Sequence, residues 1–300
     1  MSAVRQLEYF RIAEEAAWGT AGTVWVGVPP DEYSVGYENT VTPQDKMTGE
    51  IDFVYVDVTS QSLQGSLTSQ VWPANVTTLL AMAGLPRESD NTLLSHTVQF
   101  YDYAKGEYVE QLGIIANTVE ISASGGSPKL MMNMDCVGKS ETNMTPTTFA
   151  KPTFPVGPAW EIHDATFTIE GSPEPNVSEF SISVNNNVSL AEILDPTTRS
   201  PRWVDYGRRE ISLTFTVRTD STMANHYVQL ARDREEDMSF VASFNYPGTG
   251  SPLDVVSFTL SECVIQNAQR TGGVGDIQMI QVSATAKKPS ATDALVVATS

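Results

Sequence analysis

The sequence carries one order of strand and helix patterns twice. An alternating apolar–polar segment is followed by a short helical pattern, a second strand pattern, and two further strand patterns around a glycine-rich turn. Alternation with a period of two is typical of a half-buried β-strand. The corresponding pairs of segments are 62–71 and 210–217, 96–100 and 239–244, 117–121 and 263–266, and 130–137 and 277–286.

The spacing of these segments favours an internal duplication. Leu67 and Leu213 are separated by nearly the same length of chain as Val119 and Val264. Coincidence is the alternative, because any all-β chain shows alternation and glycine turns at intervals. A duplicated chain is itself a partly symmetric object, which favours assembly over catalysis. We therefore predict an all-β fold with minor helix, built of two tandem modules.

A proline-rich stretch separates the two patterns. Pro146, Pro152, Pro155 and Pro158 lie among Thr, Ser and Gly residues, and each proline removes a backbone donor and stiffens the chain. Each module also contains a long polar arm, at residues 28–50 and 185–209. The predicted division is a first module at 1–140, a linker at 141–158, a second module at 159–288 and a C-terminal tail at 289–300.

The charge balance excludes one class of function. The chain has 300 residues with 36 acidic and 18 basic side chains, which gives a formal net charge of -18. A protein that grips nucleic acid needs clustered Lys and Arg to displace counterions from phosphates. An acidic surface repels DNA over about 10 Å at moderate salt. We therefore expect no specific nucleic-acid binding, although proximity to DNA is compatible with this charge.

Motifs for catalysis or cofactor binding are missing from the sequence. The three histidines, His96, His163 and His226, have no second His or Cys at the spacing of metal ligands. Gly138-Lys139-Ser140 resembles the end of a phosphate-binding loop, but the first glycine that such a loop needs is Asn133. An acidic chain contains many carboxylate pairs, so a glycosidase-like pair stays open. We predict no enzyme activity, no cofactor and no metal site.

The sequence also indicates where the chain is made. Residues 1–5 carry no apolar run or cleavage site, and no segment approaches about 20 continuous apolar residues. Cys136 and Cys263 lie in apolar strand patterns without metal or redox spacing, so we expect buried free thiols. Synthesis in a reducing bacterial cytoplasm and no contact with a membrane are the expectations.

Several short segments resemble one protein family. Glu14-Glu15-Ala16-Ala17-Trp18-Gly19-Thr20 is similar to the E-E-x-x-W-G-T segment near the start of phage tail tube proteins from long, non-contractile tails. The similarity covers most of the chain but is weak in each piece, and the segment at 28–50 and the tail after Pro289 depart from it. The other segments that carry it are 65–68, 79–84, 96–98, 136–139 and 212–215, with Phe258.

The resemblance implies a fold and an assembly. Tail tube proteins are β-sandwich or barrel-like modules with a flanking α-helix and a long loop or hairpin arm, and they stack as rings into a hollow conduit for the genome. A two-module chain reaches six ring positions with three copies, so the expectation is a trimeric, pseudo-hexameric ring in the virion of a siphophage. The implied partners are other copies of the chain, the tape measure protein, the tail terminator and tip proteins, and passing phage DNA.

Subunit interfaces are expected at the arms, at tryptophans on loops and at the tail. Tryptophan on a loop is favoured in buried protein contacts, although anchoring of the core is its default role. The apolar tail can add to the edge of a neighbouring sheet. The candidate interface residues are Trp18, Tyr37, Lys46, Trp160, Trp203, Tyr206, Arg208, Arg209, Leu295 and Val296.

Two other functions compete with the tube. A monomeric β-sandwich with aromatic loops can serve as a binding or adhesion protein of the virion surface, and it predicts an exposed aromatic groove and no rings. A β-rich hydrolase with an unrecognised carboxylate pair is the second alternative.

Overall fold

A computed structural model describes most of the chain. The described residues are 9–44, 55–85, 93–102, 106–144, 152, 154, 157–190, 200–218, 224–233, 237–246, 255–271, 279–288 and 293–300. None of the helices in these ranges reaches the length and apolarity that a membrane span requires. The prediction of an all-β fold with minor helix is confirmed, since strands dominate and two short helices accompany them.

The first half of the molecule is defined here as the elements from residue 9 to residue 144. Its helix ends before Gly84, whose φ of 69° is the left-handed conformation that often terminates helices. The elements are β1 (Arg11–Glu14), β2 (Trp25–Gly27), β3 (Glu32–Tyr33), β4 (Gly36–Gln44), β5 (Tyr55–Gln70), α1 (Val76–Met82), β6 (His96–Asp102), β7 (Glu107–Ser124), β8 (Ser127–Gly138) and β9 (Ser140–Met144).

The second half is defined as the elements from residue 157 to residue 300. It opens with a short 3-10 helix at Ile162–Asp164. The elements that follow are β10 (Ala165–Ile169), β11 (Ser172–Pro173), β12 (Val177–Asn185), β13 (Val188–Leu190), β14 (Val204–Tyr206), β15 (Glu210–Arg218), α2 (Ala224–Asp233), β16 (Met238–Asn245), β17 (Val255–Thr271), β18 (Met279–Ala286) and β19 (Val296–Thr299).

The order of hydrogen-bonded neighbours is the same in both halves. In the first half β1 pairs with β2 and β6, and the sheet continues through β7 and β8 to β5. In the second half β10 pairs with β11 and β16, and the sheet continues through β17 and β18 to β15. β9 and β19 take equivalent places beside the first parts of β7 and β17. All these pairings are antiparallel.

These pairings establish which positions are equivalent. Leu67 and Leu213 lie in the matching segments Ser66-Leu67-Thr68 and Ser212-Leu213-Thr214. On one side Leu67 is opposite Met134 and Leu213 is opposite Ala284. On the other side Leu67 is opposite Tyr33 and Leu213 is opposite Ile182. β3 with the start of β4 is therefore the counterpart of β12.

One strand joins the two halves into a continuous sheet. β12 pairs with β15 of its own half and, along its other edge, with β7 of the first half. Ile182 lies opposite Ile121 in this second pairing, and the register runs from Glu179 opposite Ser124 to Asn185 opposite Thr118. We call this β7–β12 pairing the internal junction.

The core lies on one face of the sheet. In the central strands of the sheet alternate residues are buried, as in Phe180, Ile182 and Val184 of β12, because side chains of a strand alternate between its two faces. α1 buries Val76, Leu79, Leu80 and Met82 against this face. The apolar side chains of both halves form one connected cluster.

The segments predicted as a linker and as a C-terminal tail both contain strands. The range predicted as a linker begins inside β9, which pairs with β7 from Tyr108 to Leu112. The predicted tail contains β19, which pairs with β17 of the same chain. Pattern analysis missed β9 because it lacks clean alternation of apolar and polar residues. The tail was expected to join the sheet of a neighbouring copy, whereas β19 pairs within its own chain.

Both cysteines are free and buried, which confirms the prediction for Cys136 and Cys263. Burial raises the pKa of each thiol to about 12, so neither forms a thiolate near neutral pH.

Candidate self-assembly surfaces

The sheet presents a polar face on the side opposite the core. Ser181 and Ser183 of β12 alternate with buried neighbours, and Glu120 and Ser122 of β7 do the same. The face is rich in Ser, Thr, Asn and Gln, and a shallow depression lies across the internal junction. Its carboxylates include Glu120, Asp135, Glu179 and Glu210, and Lys129 and Arg218 lie at one end.

Hydroxyl groups donate hydrogen bonds to two carboxylates of the polar face. The Ser181 hydroxyl donates to the Glu120 carboxylate across the internal junction at 2.9 Å. The Thr216 hydroxyl donates to Glu179 at 2.6 Å. Phosphate groups are bound by Lys, Arg and backbone N–H donors, which these hydroxyl–carboxylate pairs do not offer. The centre of the polar face is thus poorly suited to hold DNA.

The arm of the second half folds over the first half of the same chain. The backbone N–H of Asn186 donates to Asn117 O at 2.8 Å, and its side-chain amide donates to Ala116 O at 3.0 Å and to Ala83 O at 3.3 Å. Asn186 is only 2% exposed. Arg209 donates to the Asn186 side chain at 3.1 Å and to the backbone oxygen of Gly84. Asn186 therefore ties the arm to the end of α1 and to β7.

A small apolar cluster supports the same contact. Leu93 and Ile115 of the first half are buried with Val188 of the second half. Val204 and Tyr206 of the arm pack against them, and the Tyr206 hydroxyl donates to Leu93 O at 3.4 Å. The arm thus combines a buried amide with an apolar patch, and it reinforces the internal junction at one end.

The arm of the first half is a hairpin of β4 with β5. β4 pairs with β5 from Gly36 opposite Gln64 to Gln44 opposite Tyr55. Tyr37 is 46% exposed on this hairpin, although its hydroxyl accepts a hydrogen bond from the backbone N–H of Glu141 at 2.9 Å. This arm is thus an extension of the sheet through β5, whereas the other arm covers the neighbouring half.

Chemistry-bearing groups do not converge anywhere in the described ranges. No group of three or more His, Cys, Asp and Glu side chains in those ranges could hold a metal ion. His96 is buried, and burial lowers its pKa to about 4, whereas His163 is exposed on a short helix. The surfaces of the described residues include strand edges, two arms and a polar face.

A comparison with protein families decides the identity. Residues 6–287 match the family described as phage tail tube protein. The chain belongs to the phage tail tube protein family. A comparison with curated proteins gives no match. This tail tube protein is therefore a structural component of the virion, and the resemblance found in the sequence is confirmed.

The tail tube segment Glu14–Thr20 has a structural role that sequence reasoning missed. Glu15 is 4% exposed, and its carboxylate accepts hydrogen bonds from Gly19 N at 2.7 Å and Gly113 N at 2.8 Å. It also accepts from the Ser95 and Thr97 hydroxyls at 2.8 and 2.9 Å. Trp18 closes the loop by donating to Gly113 O at 3.0 Å. The sequence did contain a signal for this role, which is an acidic residue followed closely by Trp-Gly.

The candidate interface residues of the second half lie in three environments. Trp160 is fully buried in the protein's own core and contacts Tyr246. Tyr206 and Arg209 lie in the arm contact with the first half. Trp203 is 53% exposed and Arg208 is also exposed, so both are accessible to a neighbour.

The remaining candidates are divided between the first half and the end of the chain. Trp18 is half-buried below Lys139, whose ammonium lies 5.1 Å from the ring centre. Leu295 is buried and Val296 is 38% exposed beside β17. Lys46 lies outside the described residues. An interface role for this set of residues stays a prediction.

Proposed function

We propose that three copies of this tail tube protein form a pseudo-hexameric ring, and that rings stack into the hollow tube of a siphophage tail. The tube conducts DNA during ejection. The chain contributes no catalytic activity and binds no cofactor. It is synthesised in the bacterial cytoplasm before assembly into the tail.

The observation that carries this proposal is the repeated strand ladder within one continuous sheet. Each half has the same order of pairings, and the internal junction joins them without a break. Two like units joined side by side occupy two neighbouring positions of a ring. Closed rings form when such heterologous contacts repeat through a rotation that closes. Three chains then supply six units around about 360°, so each unit turns by about 60° from the last.

The polar face is the proposed lining of the tube. The opposite face is the apolar core, so only the polar face is available to line an aqueous channel. Carboxylates at Glu120, Asp135 and Glu179 would repeat around the ring and repel phosphates over about 10 Å at 0.1 M salt. A wall that forms few phosphate contacts has few to break when DNA moves.

The arms are proposed to bridge subunits or successive rings. Support comes from the second arm, which already covers the half beside it through Asn186 and Tyr206. We propose the module boundaries given in the sequence analysis, with modules at 1–140 and 159–288. Tape measure, terminator and tip proteins are the proposed partners inside and at the ends of the tube.

Negative-stain microscopy of the purified protein tests the proposal. We expect rings or tubes, with the mass of three chains per ring by native mass spectrometry. A purified protein that stays monomeric and forms no rings would favour the monomeric adhesion protein instead. Deletion of residues 45–54, which connect β4 with β5 in the sequence, should leave a folded protein that no longer forms tubes. Tubes of normal length from this deletion would rule out the bridging role.

A further inference from the structure

We infer that the partner of this chain's open sheet edge is the opposite edge of a second copy, paired in the same register as the internal junction. The strands concerned are β3 with the start of β4 in one copy and the second part of β17 in the next. The inference rests on the proposed ring, and it identifies which residues meet between copies.

Two strand edges that correspond to those of the internal junction have no strand partner in the described part of the chain. β3 pairs with β5 along one edge, whereas its counterpart β12 pairs along both edges. Residues 264–271 of β17 pair with β18, whereas the equivalent residues 118–124 of β7 pair with both β8 and β12. The internal junction therefore joins the same two edges that remain open at the ends of the chain. An open strand edge carries backbone donors and acceptors that another strand can satisfy.

The internal junction supplies the register. Tyr33 is the counterpart of Ile182, because both lie opposite equivalent leucines. Ala268 is the counterpart of Ile121, because it lies opposite Val282 where Ile121 lies opposite Met132. Since Ile182 is opposite Ile121, Tyr33 of one copy is placed opposite Ala268 of the next.

The same correspondence gives the neighbouring residue pairs along the edge. The pair Ser181–Ser122 of the internal junction corresponds to Glu32 of one copy opposite Gln269 of the next. The pair Phe180–Ala123 corresponds to Asp31 of one copy opposite Arg270 of the next. Asp31 and Arg270 are both exposed and carry opposite charges. Opposite charges in directly facing positions of neighbouring strands are stabilising, and like charges there are destabilising. The charge pattern of the two open edges is thus complementary in this register.

Burial of the equivalent residues gives independent support. Ile121 and Ile182 at the internal junction are both fully buried. Tyr33 and Ala268 are partly buried in the single chain and pack against the core cluster. Pairing with a second copy would remove the remaining exposed part of both side chains from water, as the internal junction does for its isoleucines.

Tyr37 extends the contact to the first arm. Its position corresponds to Asn186, which follows β12 and lies over Asn117 of β7. The counterpart of Ala116, whose carbonyl accepts from the Asn186 amide, is Cys263, so Tyr37 is placed over β17 near Cys263 of the next copy. Its 46% exposure in the single chain leaves an aromatic face to bury there.

Cysteine pairs test the register directly. The pair Glu32→Cys and Gln269→Cys should link neighbouring copies, because directly opposite residues have Cα atoms about 5 Å apart, within disulfide reach. The matched control Ser181→Cys with Ser122→Cys occupies the same position at the internal junction and should link within one chain. The native thiols are buried and unreactive.

Non-reducing gels and microscopy of each oxidised sample give the readout. We expect covalent dimers and closed trimers from the Glu32–Gln269 pair, and monomer with an internal link from the control. The shifted pair Glu32→Cys and Asn267→Cys has a diagonal separation of about 7–8 Å and should link at least about tenfold less. Rings that link through the shifted pair instead, or that link through neither, would overturn the register.

A charge exchange covers the case in which a cysteine variant fails to assemble. Asp31→Arg alone should raise the protein concentration needed for half-assembly by about tenfold or more. Asp31→Arg combined with Arg270→Asp should restore it. Assembly that is unchanged in the single variant, or not recovered in the double variant, contradicts the pairing of these two residues. Absence of rings in the unmodified protein would instead overturn the proposed function.

Discussion

The two halves of this tail tube protein build one strand ladder from different chemistry. In the second half β10 and β11 are joined by a tight turn at Glu170 and Gly171, both with positive φ of 51° and 74°. In the first half β1 and β2 are joined by a longer loop that Glu15 holds in place. The main chain makes the same contact at both points, from Glu15 N to Ser95 O and from Glu170 N to Ser239 O.

The cores of the two halves also differ in the residue types that fill equivalent positions. The second half packs Phe167, Phe180, Phe215, Phe240 and Phe244 against one another with ring centres 5.4–6.4 Å apart. The equivalent positions of the first half include Ser69, His96 and Ile12. The ladder therefore depends on strand order and on which face is buried, and each half has its own means of stabilisation.

The largest expected effect is in the aromatic core. Phe215 is fully buried and its ring lies 5.4 Å from Phe240 and 5.5 Å from Tyr227. Phe215→Ala should lower the free energy of unfolding by about 3–5 kcal/mol, since the truncation leaves a cavity. Ser69→Ala at the equivalent position should lower it by about 1 kcal/mol, the loss of its hydrogen bond to Gln70 O at 2.9 Å. Urea denaturation of the unassembled protein measures both, and equal effects would contradict the comparison.

The second effect concerns the loop that only the first half has. Glu15→Ala leaves two backbone donors and two hydroxyls without their acceptor, so we expect a loss of about 3 kcal/mol. Trp18 fluorescence should shift to longer wavelength as the loop loosens. Glu170→Ala is the matched control and should change the free energy of unfolding by less than about 1 kcal/mol. A Glu15→Ala protein with unchanged stability and fluorescence would show that the network does not hold the loop.

The third effect comes from placing the residue type of the second half at the equivalent position of the first half. His96 is buried without a hydrogen-bond partner for Nδ1, and Phe240 takes its place in the second half. His96→Phe should raise the free energy of unfolding at pH 7 by about 1 kcal/mol, because an unsatisfied polar atom leaves the core. A loss of stability would mean that the larger ring does not fit there.

The same substitution should change the pH dependence. Burial lowers the pKa of His96 from 6.5 to about 4, and a backbone hydrogen bond with Leu94 opposes this in part. Between these pH values the unfolded chain binds a proton that the folded protein does not, so stability falls as pH falls. The difference between wild type and His96→Phe should therefore widen by about 3 kcal/mol from pH 7 to pH 4.

Sequence patterns predicted the ladder but not its junction. Alternation in residues 62–71 and 210–217 indicated which face of each strand is buried, and the duplicated order followed from it. The pairing of β12 with β7 has no such signal, because alternation does not say which strand lies alongside. Asn186 and Arg209 also escaped prediction as a pair, since their contact forms across residues distant in the chain.

The placement of the tryptophans has the same explanation. Trp160 follows a proline-rich stretch, and the sequence left both core anchoring and a subunit interface open for it. Its backbone pairs with Val71 and Leu130 and carries the ring into the core. Trp203 lies in a similar context and is exposed. Local composition is alike at both positions, and only long-range hydrogen bonds distinguish them.

The smallest expected effect concerns the contact between Lys139 and Trp18 in the same loop of the first half. Lys139 lies over the Trp18 ring, so Lys139→Met should lower the free energy of unfolding by about 0.5–1 kcal/mol through loss of the cation–π contact. The exposed Lys129→Met is the matched control and should have no measurable effect. In a double-mutant cycle with Trp18→Phe, the coupling energy isolates this contact from the Trp18 bond to Gly113 O, which Phe also removes. Zero coupling would show that the contact between Lys139 and Trp18 does not help to attach the loop.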